Sequence, residues 1–486
     1  TMISFGQWLP DQPVTANKGI VQAKNCIASA DGYRSFNGLS PYSGVATNKI
    51  LGAFASKDFD DNNAIYAGDT GKLYKFNSAD SSLTDISKAG GYSTGAGNKW
   101  RFTQFGENVI ATNYNDNIQT IVSNSSGLFS DLSADAPKAK YIATIRDFVM
   151  VGNTYDAVDG NVSNRVRWSA LGNDTSWAVS ATTLSDFQDL YGYGKVQGIV
   201  GGEYGTILCE RGIFRCTFVG SPLVWQFDAV ETQRGCAVDG SVTAIGNAVF
   251  YLSDDGFYMF DGNSSKNIGA ERVNRWFLEQ FNIAYKEDLT CASDPQNQIV
   301  MWSFTSNDST TNTPDKILVY NYAVDKWSYL ELACDLLVPL FSTGYTLEEL
   351  DNISSSIDAL PSSLDSAVYK GGSYFFGAVK DKKIQTFGGA TLAGEIITSE
   401  QELSKGKHTM VNKVFPIHKG GTATVSVGSR NNTQDSVSFT TATNVNSVGF
   451  APIRSRGKYH RAKINITGDW NELQGLDFEI NQLGMR

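Results

Sequence analysis

The sequence predicts an all-β protein: a β-propeller of six or seven blades followed by a C-terminal antiparallel β domain. Three observations predict it. Glycine is abundant at 47 residues, proline scarce at 11, and aromatics make up 12% of a 486-residue chain, a mixture suited to many short strands joined by tight turns. A strand–turn–strand phrase recurs, as "FGENVIATN" at 105–113, "IRDFVMVGN" at 145–153, "IGNAVFYLS" at 245–253 and, more loosely, "EYGTILCER" at 203–211. A second phrase, a polar turn leading into a Trp-bearing strand, closes several units at Trp177, Trp225 and Trp327.

Four short strands in roughly 40–50 residues is the size of one propeller blade. A single blade leaves two apolar faces open, and radial stacking of neighbours buries both. On this reading the blades occupy 50–87, 98–133, 139–179, 190–230, 235–269 and 282–332, with a seventh or a set of closing strands at 366–392. Residues 1–45 form an N-terminal arm from which a closing strand is drawn, within 20–45. The near-echo between "AGDTGKLYKFN" at 67–77 and "SDDGFYMFDG" at 253–262 then marks hairpins in corresponding blades, not a ligand site made twice.

The repeat is interrupted twice. Residues 335–366 carry six acidic residues and no Lys or Arg. Within them "TLEELDNISSSIDAL" opens with a Thr cap and a Glu three positions on, a capping box that predicts a short helix. This acidic insertion is the candidate channel or docking segment, through Glu348, Glu349, Asp351, Asp358 and Asp365. "GAERVNRWFLEQF" at 269–281 reads as one or two helical turns with Val273, Trp276 and Phe277 on one face. From 393 to 486 strict apolar–polar alternation, as in "TATVSVGSR" and "GKYHRAKINITGDW", predicts a sandwich-like β domain.

Charge bounds the function. Residues 401–486 carry a net +5 and residues 1–400 a net −15. An acidic body disfavours binding to nucleic acid through its phosphates, yet it lets a polyanion pass without sticking. No stretch approaches a membrane span, and the first residues lack the pattern of a signal peptide. The six cysteines are scattered with no CxxC spacing and read as reduced, buried thiols. The three histidines, His408, His418 and His460, have no ligand-spaced partners. No nucleophile elbow, phosphate loop or dinucleotide fingerprint is present. The Asp-rich turn "KDFDDNN" at 57–63 offers oxygen ligands but reads first as a turn. The chain is read as a non-enzyme without metal or cofactor. The alternative is a propeller that binds or cleaves host-surface carbohydrate, which needs a carboxylate pair that one-dimensional spacing does not select.

Several separated phrases carry a resemblance. "ISFGQWLPDQP", "GYRSFNGLSPYSG", "IYAGDTGKLYKF", "WRFTQFGENVIATN", "RVRWSALGNDTSW", "LEELDNISSSIDALPSSLDS" and "GKYHRAKINITGDWNELQG" together span nearly the whole chain. They resemble the tail hub or nozzle proteins, of the packaged-DNA stabilisation type, of short-tailed bacteriophages. The resemblance implies a virion tail protein assembled in the bacterial host cytoplasm. It also implies a hexameric ring below the tail adaptor that sits on the portal, beside tail fibres or spikes. Such a ring lines the DNA exit channel, retains packaged double-stranded DNA and conducts it at ejection without specific binding.

Overall fold

Alternating apolar residues dominate each short strand, and the alternation decides the architecture. The computed structural model describes residues 2–484 except 16, 345–349, 352–353, 355, 360–371 and 373. Its regular secondary structure is nearly all strand. Six separate four-stranded antiparallel sheets are present, and a seventh four-stranded unit forms one end of a 14-stranded curled sheet.

In chain order the innermost strands of the seven units are Gly52–Lys57, Arg101–Phe105, Lys138–Ile145, Val196–Val200, Thr243–Ile245, Thr290–Asp294 and Leu336–Phe341. They stand side by side, and the last lies against the first, so the ring closes. The outermost strand of the seventh unit is Ser40–Pro41, paired with Lys383–Thr386. Chain start and propeller end are thereby joined in one sheet.

Side chains alternate between the two faces of every sheet, and each face meets a neighbour. In unit two Val109 and Ala111 pack toward unit one with Trp100 and Tyr66, whereas Ile110 packs toward unit three with Val149 and Val151. The pattern repeats around the ring, giving one apolar cluster at each of the seven junctions. Each fully buried Leu, Val or Phe contributes about 1.5–3 kcal/mol, which no isolated sheet obtains. Close approach also needs glycine. A Cβ on Gly68 would lie 2.4 Å from the Trp100 ring, and one on Gly52 would lie 2.3 Å from the Trp100 carbonyl oxygen.

The recurring phrases occupy corresponding places. Residues 105–113, 145–153, 203–211 and 245–253 each run into the second strand of a unit, from unit two through unit five. Their first turn residues Gly106, Arg146 and Gly246 share a left-handed φ of 57°, 50° and 57°. The tryptophans correspond less completely. Trp225 and Trp327 are each the second residue of a fourth strand, Val224–Glu231 and Lys326–Leu330. Trp177 instead lies in the loop before its unit's fourth strand, Asp186–Asp189. All three rings nonetheless bury against the preceding unit.

Two boundaries fall differently from expectation. Leu336–Phe341, assigned above to the acidic insertion, is the innermost strand of unit seven and pairs with Tyr374–Lys380. Its apolar run is core, and the excursion begins only after Phe341. The third unit also extends to Asp189, because its fourth strand is polar and follows a long loop.

The helix α1 spans Asn274–Gln280 and buries Val273 and Phe277, with Trp276 packed beside them. Its N-terminus is met by Asp11, whose carboxylate accepts from the backbone N–H of Arg275 at 3.0 Å and Trp276 at 2.8 Å. That placement complements the helix dipole and pins the N-terminal arm. The helix expected within 346–360 lies largely outside the described residues, and a single helical turn, Ile357–Ala359, is seen there.

Beyond 393 the chain forms two long strands, Thr409–Arg430 and Tyr459–Gln482, paired along their length. Register shifts and the positive φ of Gly420, Gly421 and Gly468 bend this hairpin at its middle. Its two halves share one core that includes Val411, Val425, Ile464 and Phe478. The sheet is continuous with the propeller. Ile20–Lys24 pairs with Gly394–Thr398 on one side and, at Lys24 and Tyr329, with unit six on the other.

Candidate functional site: the axial channel

Seven parallel-standing innermost strands leave a channel between them, a cavity of about 530 Å³ lined by residues of every unit. Two mouths follow from strand direction. At one mouth the innermost strands begin, and charged residues gather there. At the other they end, near Pro339, Phe341 and Tyr374.

The charged mouth is assembled from side chains up to 286 positions apart, Lys49 to Asp335. The Arg101 guanidinium donates to Asp239 at 2.8 Å and lies 4.8 Å from the centre of the Tyr141 ring. The Tyr141 hydroxyl donates to the same carboxylate at 3.0 Å. Lys49 stands 3.7 Å from both Asp288 and Asp335. Lys99 donates to the main-chain carbonyl of Glu287. Burial alone would raise the Asp239 pKa, but Arg101 and Lys99 outweigh it and hold the carboxyl below its ordinary range. Burial raises that of Asp335. Lys99 reaches the lumen yet is surrounded by protein, and burial draws its pKa down to about 8.

This is a set of compensated charges, with no nucleophile beside a base. His408 and His418 lie at or within the C-terminal strands, and His460 is buried among them. All six cysteines are free, and burial pushes their thiols well up, so the nucleophilic thiolate is disfavoured. Among the described residues no group of three or more His, Cys, Asp or Glu is placed to hold a metal ion. In the turn at 57–63, Asp58 accepts from the backbone N–H of Asp60 and Asn62.

The carboxylates of the echoed phrases serve their turns. Asp69 is buried and accepts from the backbone N–H of Asn48, Gly71 and Lys72 and from the Tyr74 hydroxyl, all at 2.7–2.8 Å. Asp255 accepts from the Tyr258 hydroxyl at 2.8 Å. Each carboxylate is tied to a tyrosine on the third strand of its own unit.

Of the acidic residues singled out in the sequence, Asp351 and Asp358 are exposed, on the connection that leaves the far mouth between Phe341 and Tyr374. Glu348, Glu349 and Asp365 lie outside the described residues. Sequence reasoning missed the charged mouth itself. Its members share only one feature, a position at or just before the start of an innermost strand, as in "NKWRF" at 98–102.

Among the described residues no helix is long and apolar enough to cross a membrane. No family model matches the chain, and no curated protein matches it. Solved structures with similar folds exist at low identity. The computationally designed Ika8 protein is 10% identical with a TM-score of 0.37, covering 78% of this chain and 99% of its own. YCF48 bound to D1 peptide is 8% identical with a TM-score of 0.38, covering 72% and 96%. The WD40 domain of Neurospora crassa Pan2 is 8% identical with a TM-score of 0.37, covering 74% and 95%.

Proposed function

We propose that this chain is a structural subunit of the tail hub or nozzle of a short-tailed bacteriophage, and not an enzyme. In this reading six copies form a ring below the tail adaptor, beside fibres or spikes, and line the path by which DNA is retained and released. The observation that carries the reading is continuity. Seven junction cores close the propeller, and its sixth unit and the C-terminal strands belong to one sheet, so the subunit is a rigid block. The sequence phrases that resemble tail hub proteins support the same reading.

The propeller's own channel is not the DNA path. A cavity of about 530 Å³ holds on the order of eighteen waters at ~30 Å³ each, whereas the grooves of duplex DNA alone are about 12 and 6 Å wide. The duplex therefore passes between copies, around which heterologous contacts close a ring. The net −15 of residues 1–400 repels the phosphate backbone, so the polymer slides without being held.

Native mass spectrometry of the purified chain, alone and with polysaccharide, tests this. Six-copy assemblies with no saccharide bound and none cleaved are expected. A monomer or trimer that binds or hydrolyses polysaccharide would favour the carbohydrate reading instead.

A further inference from the structure

The outer face of the C-terminal sheet is uncovered. Ala451–Gly457 pairs on one side only, with the start of the long strand Thr409–Arg430, which in turn pairs with Tyr459–Gln482. Its residues alternate strictly between buried and exposed, as in any strand covered on one face. Ala451 and Ile453 join the core with Val411 and Val414, whereas Pro452, Arg454 and Arg456 point the other way and are exposed. Met410, Lys413 and Phe415 lie on the same outer face of the neighbouring strand. Phe450 packs on Phe415 there, ring centres 5.4 Å apart. None of these residues belongs to a junction core.

The charges on this face are not equivalent. Lys413 pairs with Glu479 at 3.0 Å, and Asp477 is half-buried, two strands away from Ala451–Gly457. Arg454 and Arg456 stand on the edge strand, and among the described residues their guanidiniums form no ion pair and no hydrogen bond. Charged side chains and proline on an exposed edge oppose the addition of another strand. Docking here is therefore face-on, through side chains.

We infer that this face docks on the acidic propeller of a second copy of the chain, head to tail. The propeller belongs to residues 1–400, which carry a net −15, and the docking face to residues 401–486, which carry a net +5. Acidic bodies alone repel one another, and two unlike patches that attract make a heterologous contact. The composition of the face favours protein over nucleic acid. Arginine, methionine and aromatic side chains are enriched at protein interfaces, whereas binding to a phosphate backbone draws on many cations. The inference rests on the ring reading above and names the surface by which its copies meet.

Sedimentation of the full chain over a concentration series tests it. Arg454→Glu with Arg456→Glu should raise the concentration of half-dissociation by about tenfold or more. Arg454→Lys with Arg456→Lys, which keeps the charge, should hold it within about threefold, and added salt should weaken the wild-type assembly. Circular dichroism should show both variants folded, since both side chains are exposed. Benzoylphenylalanine in place of Pro452, in a mixture of isotopically heavy and light chains, should cross-link to the propeller of another copy. A six-copy assembly unmoved by the glutamate variant overturns the inference and leaves the ring reading standing. An assembly of another size that the variant dissolves supports the inference and removes the six-copy reading, and a chain that stays monomeric overturns both. Cross-links confined to one chain, or joining two C-terminal sheets, overturn the inference. So does binding of duplex DNA that the glutamate variant abolishes while the assembly stays intact.

Discussion

The propeller ring and the curled C-terminal sheet solve one packing problem in opposite ways. In the ring, strands of two to nine residues form four-stranded units, and burial is divided among seven junctions. In the sheet, strands of 22 and 24 residues bend so that one core serves both halves. The regions also differ in chemistry. The body through residue 400 carries −15 and the remainder +5, and all three histidines lie in the remainder. A divided core localises damage, whereas a shared one spreads it.

The sharpest way to break this contrast uses tryptophan. Trp327 sits in the cluster common to units five and six and the curled sheet, stacked 5.8 Å from Trp302 and donating to the Ile268 carbonyl at 3.0 Å. Trp327→Ala should cost about 3–5 kcal/mol and raise amide exchange in both regions. Trp177→Ala, at the junction of units two and three, should cost a similar amount but raise exchange there alone. Equal spreading from both variants would refute the divided core.

A second effect separates the regions by pH. His460 is buried, and its Nε2 lies 2.8 Å from the Thr409 hydroxyl and 3.0 Å from the Gly457 carbonyl. Burial lowers its pKa below 6.5 against the opposing pull of Glu400. The unfolded chain therefore binds this proton first, and stability falls as pH drops below about 6.5. In the ring the corresponding loss comes from carboxylates. Burial would raise Asp131, but hydrogen bonds from Lys88, Gln119 and Asn117 hold it at about 2, so its contribution is full above pH 3.8 and lost as pH falls toward 2. Hydrogen exchange at pH 7.5 and 5.5, corrected for intrinsic rate, should show loosening of residues 401–482 with the ring unchanged. His460→Gln should remove the difference.

The smallest expected effect concerns the repeated turn. Arg146 occupies, at φ 50°, the place held by Gly106 and Gly246 in other units, a left-handed geometry that costs a non-glycine residue about 1–2 kcal/mol. Its guanidinium lies 5.0 Å from the Phe218 ring, an exposed contact of about 0.5–1 kcal/mol. Arg146→Gly trades one for the other, so thermal unfolding should shift by less than the equivalent of about 1 kcal/mol.

The repeat was legible where local chemistry and period agree. "FGENVIATN", "IRDFVMVGN" and "IGNAVFYLS" each place a two-residue turn before an apolar strand, and that phrase is bound to the second strand of its sheet. Trp177 was harder, because burial against the previous unit can be reached from a loop as well as from a strand. Leu336–Phe341 was hidden by the acidic stretch that follows it and by Pro339, which faces the channel, where a strand tolerates proline only at an unpaired edge. Ser40–Pro41 is two residues long and carries no periodicity at all. The charged mouth was illegible for a different reason. Its residues are gathered from separate units by ring closure, and no spacing along the chain encodes that.

Electron cryo-microscopy of the purified chain tests the central claim most directly. The account requires closed rings of six copies, each a seven-unit propeller joined rigidly to its curled sheet, around an opening wide enough for duplex DNA. Single propellers that leave the C-terminal sheet free to swing would contradict it.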